Sequence, residues 1–240
     1  MSNPAVLCFP PAGAGAGFFH SWLGHRSDLH VMPVQLPGRE RRLAEDECTD
    51  LDSLLNVIVP ELLTAINGVE RVVVFGHSYG ALLAYESVRA LSALAPEVAL
   101  TLVVSGSQRP GTPRAGRVTG LPDDEFVAGV ARIAGYRHPA LDEPELRDLL
   151  LPTLRTDVAM HENYRHDEGT PLDVPVLAVR GRDDDLVSAA ELAAWRELTT
   201  GSFESAEIDG GHMYLVDSPA ALLDLISRAV DPARALGALA

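Results

Sequence analysis

Ser78 stands between glycines in Gly76-His77-Ser78-Tyr79-Gly80, a match to the pattern G-x-S-x-G. A serine hydroxyl is a weak nucleophile near neutral pH and needs a base beside it. His212, in Asp209-Gly210-Gly211-His212-Met213, is the strongest candidate, because glycines before it let a loop swing the imidazole over the serine. The other histidines fit less well. His77 adjoins Ser78, but its side chain should point away from the exposed hydroxyl and pack. His20, His25 and His30 lie early in the chain, and His138, His161 and His166 fall in a helical stretch. The base needs an acceptor on its second ring nitrogen to fix tautomer and orientation. Asp183, Asp184 and Asp185 leave an apolar run upstream of His212, and the order serine, acid, histidine favours Asp184, with Asp183 the alternative. Asp209 shares the histidine's own loop, which makes its geometry awkward. Charge developing on a carbonyl oxygen needs preorganised donors. The backbone N–H of Tyr79 is one, and the glycine-rich turn Phe9 to Gly17 should supply the other from Ala12, with Gly13 next. A phosphate-binding reading of that turn lacks both the G-x-x-x-x-G-K-[ST] pattern and any lysine. The chemistry described is cleavage of an acyl bond through an acyl-serine.

Such a serine requires a strand before it and a helix after it. Val72-Val73-Val74-Phe75 predicts the strand and Ala81 to Leu94 the helix. Further apolar runs predict strands at Ala5–Phe9, His30–Leu36 (weakened by Pro33), Leu100–Ser105, Pro175–Arg180 and Phe203–Ile208. A helix should follow Asp50 as N-cap, with Pro60 kinking it or shifting its start. A last helix should begin with Ser218 as N-cap and Pro219 at its first position. Continuous apolar strands alternating with helices predict a mostly parallel sheet covered on both faces. A long stretch between Ser105 and Val174 breaks this rhythm. It reads as helices at Pro122–Ile133, Glu145–Leu154 and Asp157–Tyr164, inserted as a lid over about 109–170. The expectation is an α/β-hydrolase of one domain, 1–240, with that lid.

The chain has 240 residues, 47% of them hydrophobic, enough for a sizeable core. Its net charge of −15 argues against nucleic acid as a partner. No apolar stretch is long enough for a membrane span, and no signal-type start is present, so the expectation is a cytoplasmic protein, monomeric and free of metal. Cys8 and Cys48 do not make a disulfide framework, and Cys8 reads as a small buried hydrophobe. All 19 basic residues are arginine, and Arg39, Arg41 and Arg42 cluster in Pro37-Gly38-Arg39-Glu40-Arg41-Arg42 as a candidate docking point for an anionic partner.

Over nearly its whole length the chain resembles the type II (editing) thioesterases of polyketide and non-ribosomal peptide synthesis. The resemblance rests on Leu7 to Gly13, Gln35 to Arg42, Gly76 to Gly80, Leu121 to Phe126, Gly181 to Asp184 and Gly210 to His212. It implies hydrolysis of acyl groups from the phosphopantetheine arm of an acyl or peptidyl carrier protein. It implies no cofactor of the chain's own, since the arm arrives with the partner. Pro11 and Tyr79 depart from the family's usual His or aromatic and Met or Leu, a difference that bears on pocket shape. Phe126, Tyr136, Met160 and Tyr164 are candidates to line the acyl channel. Two rivals remain: a product-releasing thioesterase or small-molecule esterase with the same triad, and a non-catalytic carrier-binding module.

Overall fold

The computed structural model describes residues 3–112, 116–134, 139–167 and 169–230. Its centre is a six-stranded sheet built from β1 (Ala5–Phe9), β2 (His30–Pro33), β3 (Arg71–His77), β4 (Ala99–Ser105), β5 (Val176–Gly181) and β6 (Phe203–Ile208), in the order β2-β1-β3-β4-β5-β6. Every pairing is parallel. A parallel sheet needs cover on both faces, which is why its central strands are apolar without alternation. Alternate residues serve opposite cores. Val72, Val74, Leu102 and Val104 face one cluster, and Val73, Phe75 and Val103 face the other with Phe19, Trp22, Leu222 and Ile226. Cys8 is fully buried in the second cluster, and burial pushes its thiol well above the ordinary range.

β2 ends at Pro33 rather than reaching Leu36, and it lies at the sheet's edge, where a missing N–H on the outer side costs no partner. Helix α1 (Leu51–Ala65) is capped by the Asp50 side chain, which accepts from Ser53 N–H, and it runs through Pro60. Helix α2 (Tyr79–Leu94) follows β3 directly. Between β4 and β5 lie α3 (Asp123–Ala134) and α4 (Pro144–Asn163), which share an apolar cluster of Val118, Phe126, Val127, Leu141, Leu151 and Leu154. The two helices expected at Glu145–Leu154 and Asp157–Tyr164 are thus one. Pro152 lies inside it, and the buried side chains Leu151, Leu154, Asp157 and Met160 recur every third residue across the proline. One continuous buried face outweighs the loss of a single backbone bond. Short helices α5 (Ala189–Ala193) and α6 (Tyr214–Asp217) flank β6, and α7 (Pro219–Ala229) ends the described chain. Ser218 precedes α7 as expected, but its side chain makes no capping bond. Its N–H instead closes α6 on the carbonyl of Tyr214.

Because all six strands run the same way, their C-terminal ends share one edge. The turns after β1, β3, β5 and β6 carry the glycine-rich loop, Ser78, Asp184 and His212 to that edge.

Candidate active site

Ser78 joins β3 to α2 at φ 55°, ψ −116°, a conformation that costs a non-glycine residue about 1–3 kcal/mol. The surroundings impose it. Ser78 N–H donates to the carbonyl of Ser105 at 2.8 Å. A Cβ on Gly76 would sit 1.9 Å from the carbonyl oxygen of Gly80, and one on Gly80 would sit 2.3 Å from that of Phe9. Helix, turn and β1 are in backbone contact, and only glycine fits. Gly76→Ala is therefore expected to destabilise the chain by about 3 kcal/mol, measurable as a lower denaturant midpoint. A midpoint equal to the native one would mean the turn relaxes freely.

His212 Nδ1 lies 2.9 Å from Asp184 Oδ2, with both side chains buried. Asp184 Oδ1 accepts the N–H groups of Leu186 at 2.8 Å and Val187 at 3.3 Å. Burial pushes the Asp184 carboxyl up, but the His212 bond and charge and these two amides outweigh it and hold the group below its ordinary value. An ionised Asp184 requires Nδ1 to carry the proton, so Nε2 is the imidazole's free base nitrogen. Asp183 and Asp185 are exposed, and Asp209 pairs with Arg182. Of the four aspartates it is Asp184 that the fold brings to His212.

A second serine–histidine contact lies beneath. His77 Nδ1 is 2.8 Å from Ser105 Oγ, which is 2.6 Å from the Tyr214 hydroxyl. His77 and Ser105 are wholly enclosed, and neither lines the cleft that Ser78 and His212 share. Burial, with the neighbouring His212, holds His77 well below its ordinary value, so it is neutral. Its ring stands 4.9 Å from that of His212. His77, the last residue of β3, packs under the site, as expected for a side chain turned away from the Ser78 hydroxyl. Ser105 and Tyr214, its partners, had no signal in the sequence.

Ala12, Gly13, Ser78 and His212 line one cleft of about 520 Å³. The Gly13 N–H is already committed to Asp157 Oδ2 at 2.8 Å. Of the two loop candidates, Gly13 N–H is therefore engaged with the lid, while Ala12 lines the cleft beside Ser78. Tyr79 opens α2, where first-turn N–H groups have no acceptor within the helix. The Tyr79 ring is buried, with its hydroxyl 3.7 Å from Met160 Sδ.

The remaining expectations for the site need correction. Most of the cleft's apolar lining, including Val118, Val130, Ile133, Leu150, Leu154 and Val158, comes from the segment between β4 and β5, with Phe18 and Met213 among the rest. Phe126 is instead at the heart of the lid cluster under the Arg155 guanidinium, 4.2 Å from its ring centroid. Met160 packs into the main core beside Tyr79, and Tyr164 bonds Glu86 and faces a separate polar pocket. Large side chains such as Phe126 and Met160 bury most surface by packing between elements, which draws them away from the cleft. Tyr136 lies outside the described residues. The expected patch of three arginines does not form. Arg39 is buried against Asp157, Arg42 is held by Glu45 and Glu61, and only Arg41 is exposed. An arginine among acceptors is drawn into ion pairs of its own fold before it can serve a partner. Glu40, at φ 49°, was missed. Its carboxylate lines the cleft and accepts Gly17 N–H at 3.0 Å.

The Thioesterase domain family matches residues 4–230 of the chain. The gramicidin S biosynthesis protein GrsT of Aneurinibacillus migulanus is 31% identical over 225 residues, covering 93% of this chain and 87% of that protein. Among solved structures, the type II thioesterase BorB from the borrelidin biosynthetic cluster superposes with a TM-score of 0.84 at 34% identity, covering 95% of this chain and 93% of that one. RedJ, a thioesterase from the prodiginine biosynthetic pathway in Streptomyces coelicolor, gives 0.84 at 32% identity, with 95% and 91% covered.

Proposed function

This chain belongs to the thioesterase family, as a type II thioesterase of the α/β-hydrolase superfamily, and from that premise we propose that Ser78, His212 and Asp184 hydrolyse acyl thioesters borne on the phosphopantetheine arm of an acyl or peptidyl carrier protein. The observation that carries this reading is the strained Ser78 opening, with the Asp184-bound His212, onto an apolar cleft walled by lid residues. An apolar wall suits an acyl chain, and the serine at its end suits the carbonyl.

In this reading Ser78 Oγ attacks the thioester carbon and gives its proton to His212 Nε2. The oxyanion is held by the N–H groups of Ala12 and Tyr79. The C–S bond breaks, and the departing sulfur takes the proton from His212. Water then attacks the acyl-serine while His212 removes its proton, the C–Oγ bond breaks, and Ser78 regains its proton as the acid leaves. Asp184 stays ionised and stabilises the imidazolium at each step. The phosphopantetheine arm arrives with the substrate, and water is the second reactant.

We read the whole as one domain whose lid covers about 109–170, acting as a monomer. No helix among the described residues is long and apolar enough to cross a membrane. Carrier-bound substrates belong to the cytoplasm, and we assign the chain there. Incubation with acetyl-, propionyl- and longer acyl-carrier protein tests the function. Release that is broad in acyl group and faster than from matching oxygen esters is expected. Intact carrier thioesters alongside rapid turnover of simple esters would assign the chain as an esterase instead. A chain whose serine is not phosphonylated by a serine-directed phosphonate would be a binding module.

A further inference from the structure

We infer that Asp157 is a positioning residue for the reaction, a lid carboxylate that sets the oxyanion loop so that the Ala12 donor and the acyl wall move as one body. The inference rests on the reading of Ser78 and Ala12 given above. Asp157 sits on α4 and is fully buried. Its Oδ2 accepts Gly13 N–H at 2.8 Å and Arg39 Nη1 at 2.7 Å, and its Oδ1 accepts Arg39 Nη2 at 2.9 Å. Arg39 Nη1 also donates to the Ala14 carbonyl at 3.0 Å. Two peptide groups of the loop, the one joining Ala12 to Gly13 and the one joining Ala14 to Gly15, are thus held by one ion pair. The Ala12 N–H belongs to the preceding peptide, whose Pro11 carbonyl accepts Ala14 N–H at 3.1 Å, so holding Gly13 and Ala14 holds the turn that aims the Ala12 N–H.

Packing agrees with the hydrogen bonds. Gly13 adopts φ 75°, and a Cβ there would lie 2.8 Å from Leu154 Cδ1 on α4. The loop is seated directly on the lid helix. Leu154 and Val158, on either side of Asp157 in the sequence, line the cleft. The same turn of α4 therefore carries acyl wall and loop anchor, and a displacement of the helix disturbs both. Stability alone gives no reason for charges here, since a buried ion pair is commonly matched or bettered by apolar residues of the same volume. Glu47, 3.7 Å from Arg39, is a looser second counter-charge.

The test uses the full chain and a small acyl thioester, so that carrier docking plays no part. Asp157→Leu and Arg39→Met are made singly and together, beside Asp157→Asn and Ser78→Ala, with kcat, KM and the denaturation midpoint measured for each. The double variant is expected to recover the midpoint lost by Asp157→Leu, because an apolar pair replaces a lone buried charge. Its kcat is expected to stay about 100-fold low with KM within about threefold, as for a misplaced donor. Recovery of kcat along with the midpoint would make the pair purely structural and overturn the inference. Should the double variant not fold, Asp157→Asn decides, with about a tenfold loss of kcat expected from weakening the charged fork. Unchanged kcat in Asp157→Asn would overturn it. Lost turnover in Ser78→Ala with native kcat in the Asp157 variants would sink this inference alone. Turnover retained in Ser78→Ala would sink the reading of the site as well.

Discussion

Ser78→Ala is expected to lower kcat by about 10⁴-fold or more, leaving only what binding and the oxyanion donors supply. The fold should survive. Alanine at φ 55° is strained as serine is, so stability should stay within about 0.5 kcal/mol. Ser78→Gly should be as inactive but more stable, by about 1 kcal/mol, since glycine adopts that conformation freely and gives back part of the gain as backbone entropy. Stability won by deleting the nucleophile is the pattern of a residue held under strain for its chemistry. Ser105→Ala separates the two serine–histidine contacts. It strips a bonding partner from His77 and Tyr214 and should cost about 1–3 kcal/mol of stability. Its turnover should fall far less than that of Ser78→Ala. Thioester assays and urea unfolding of the three variants decide the matter. A loss of turnover confined to Ser105→Ala would move the nucleophile to the buried pair.

What was legible in the sequence was local. The β3–Ser78–α2 turn spans consecutive residues, and its glycines are demanded by backbone contacts within that turn and with the neighbouring β1. The aspartate run and the glycines before His212 each sit where a strand ends, so strand prediction alone brought them to one edge of a parallel sheet. What was not legible depends on the placement of α4. Asp157 and Arg39 are 118 residues apart, and no periodicity links a polar position on a lid helix to an arginine in an early loop. In the sequence Arg39, Arg41 and Arg42 are alike, and the fold gives each a different neighbourhood. The acyl wall escaped for a related reason. Val130, Leu154 and Val158 differ from other lid aliphatics only in the direction they face, which the packing of α3 and α4 determines. The expected division between Leu154 and Asp157 rested on local pattern alone. The buried face that overrides it exists only in the folded chain.

Asp184→Asn is expected to cost nearly as much as losing the nucleophile, and the geometry says why. The two oxygens of Asp184 do different work. Oδ1 accepts two backbone N–H groups, and Oδ2 faces His212 Nδ1. An asparagine can keep only one oxygen. Two fixed amide donors outbid a ring nitrogen that can change its tautomer, so the amide oxygen stays with Leu186 and Val187. The NH₂ group then points at Nδ1 and donates to it. His212 must place its proton on Nε2, where it can no longer accept one from Ser78. A loss of about 10⁴-fold in kcat follows from the wrong tautomer, with a stability change of less than about 2 kcal/mol. Acid sensitivity should change too. The depressed value of Asp184 means its ionised form favours the folded state, a contribution complete above the unfolded carboxyl's value and lost as pH falls through the folded one. The asparagine variant lacks that component. Asp183→Asn, at an exposed position one residue away, should keep native turnover and stability within about 0.5 kcal/mol. Thioester turnover and acid titration of the two variants side by side identify the acid. Activity surviving in Asp184→Asn and lost in Asp183→Asn would transfer the role to Asp183, and the His212 loop would then have to rearrange in the working enzyme.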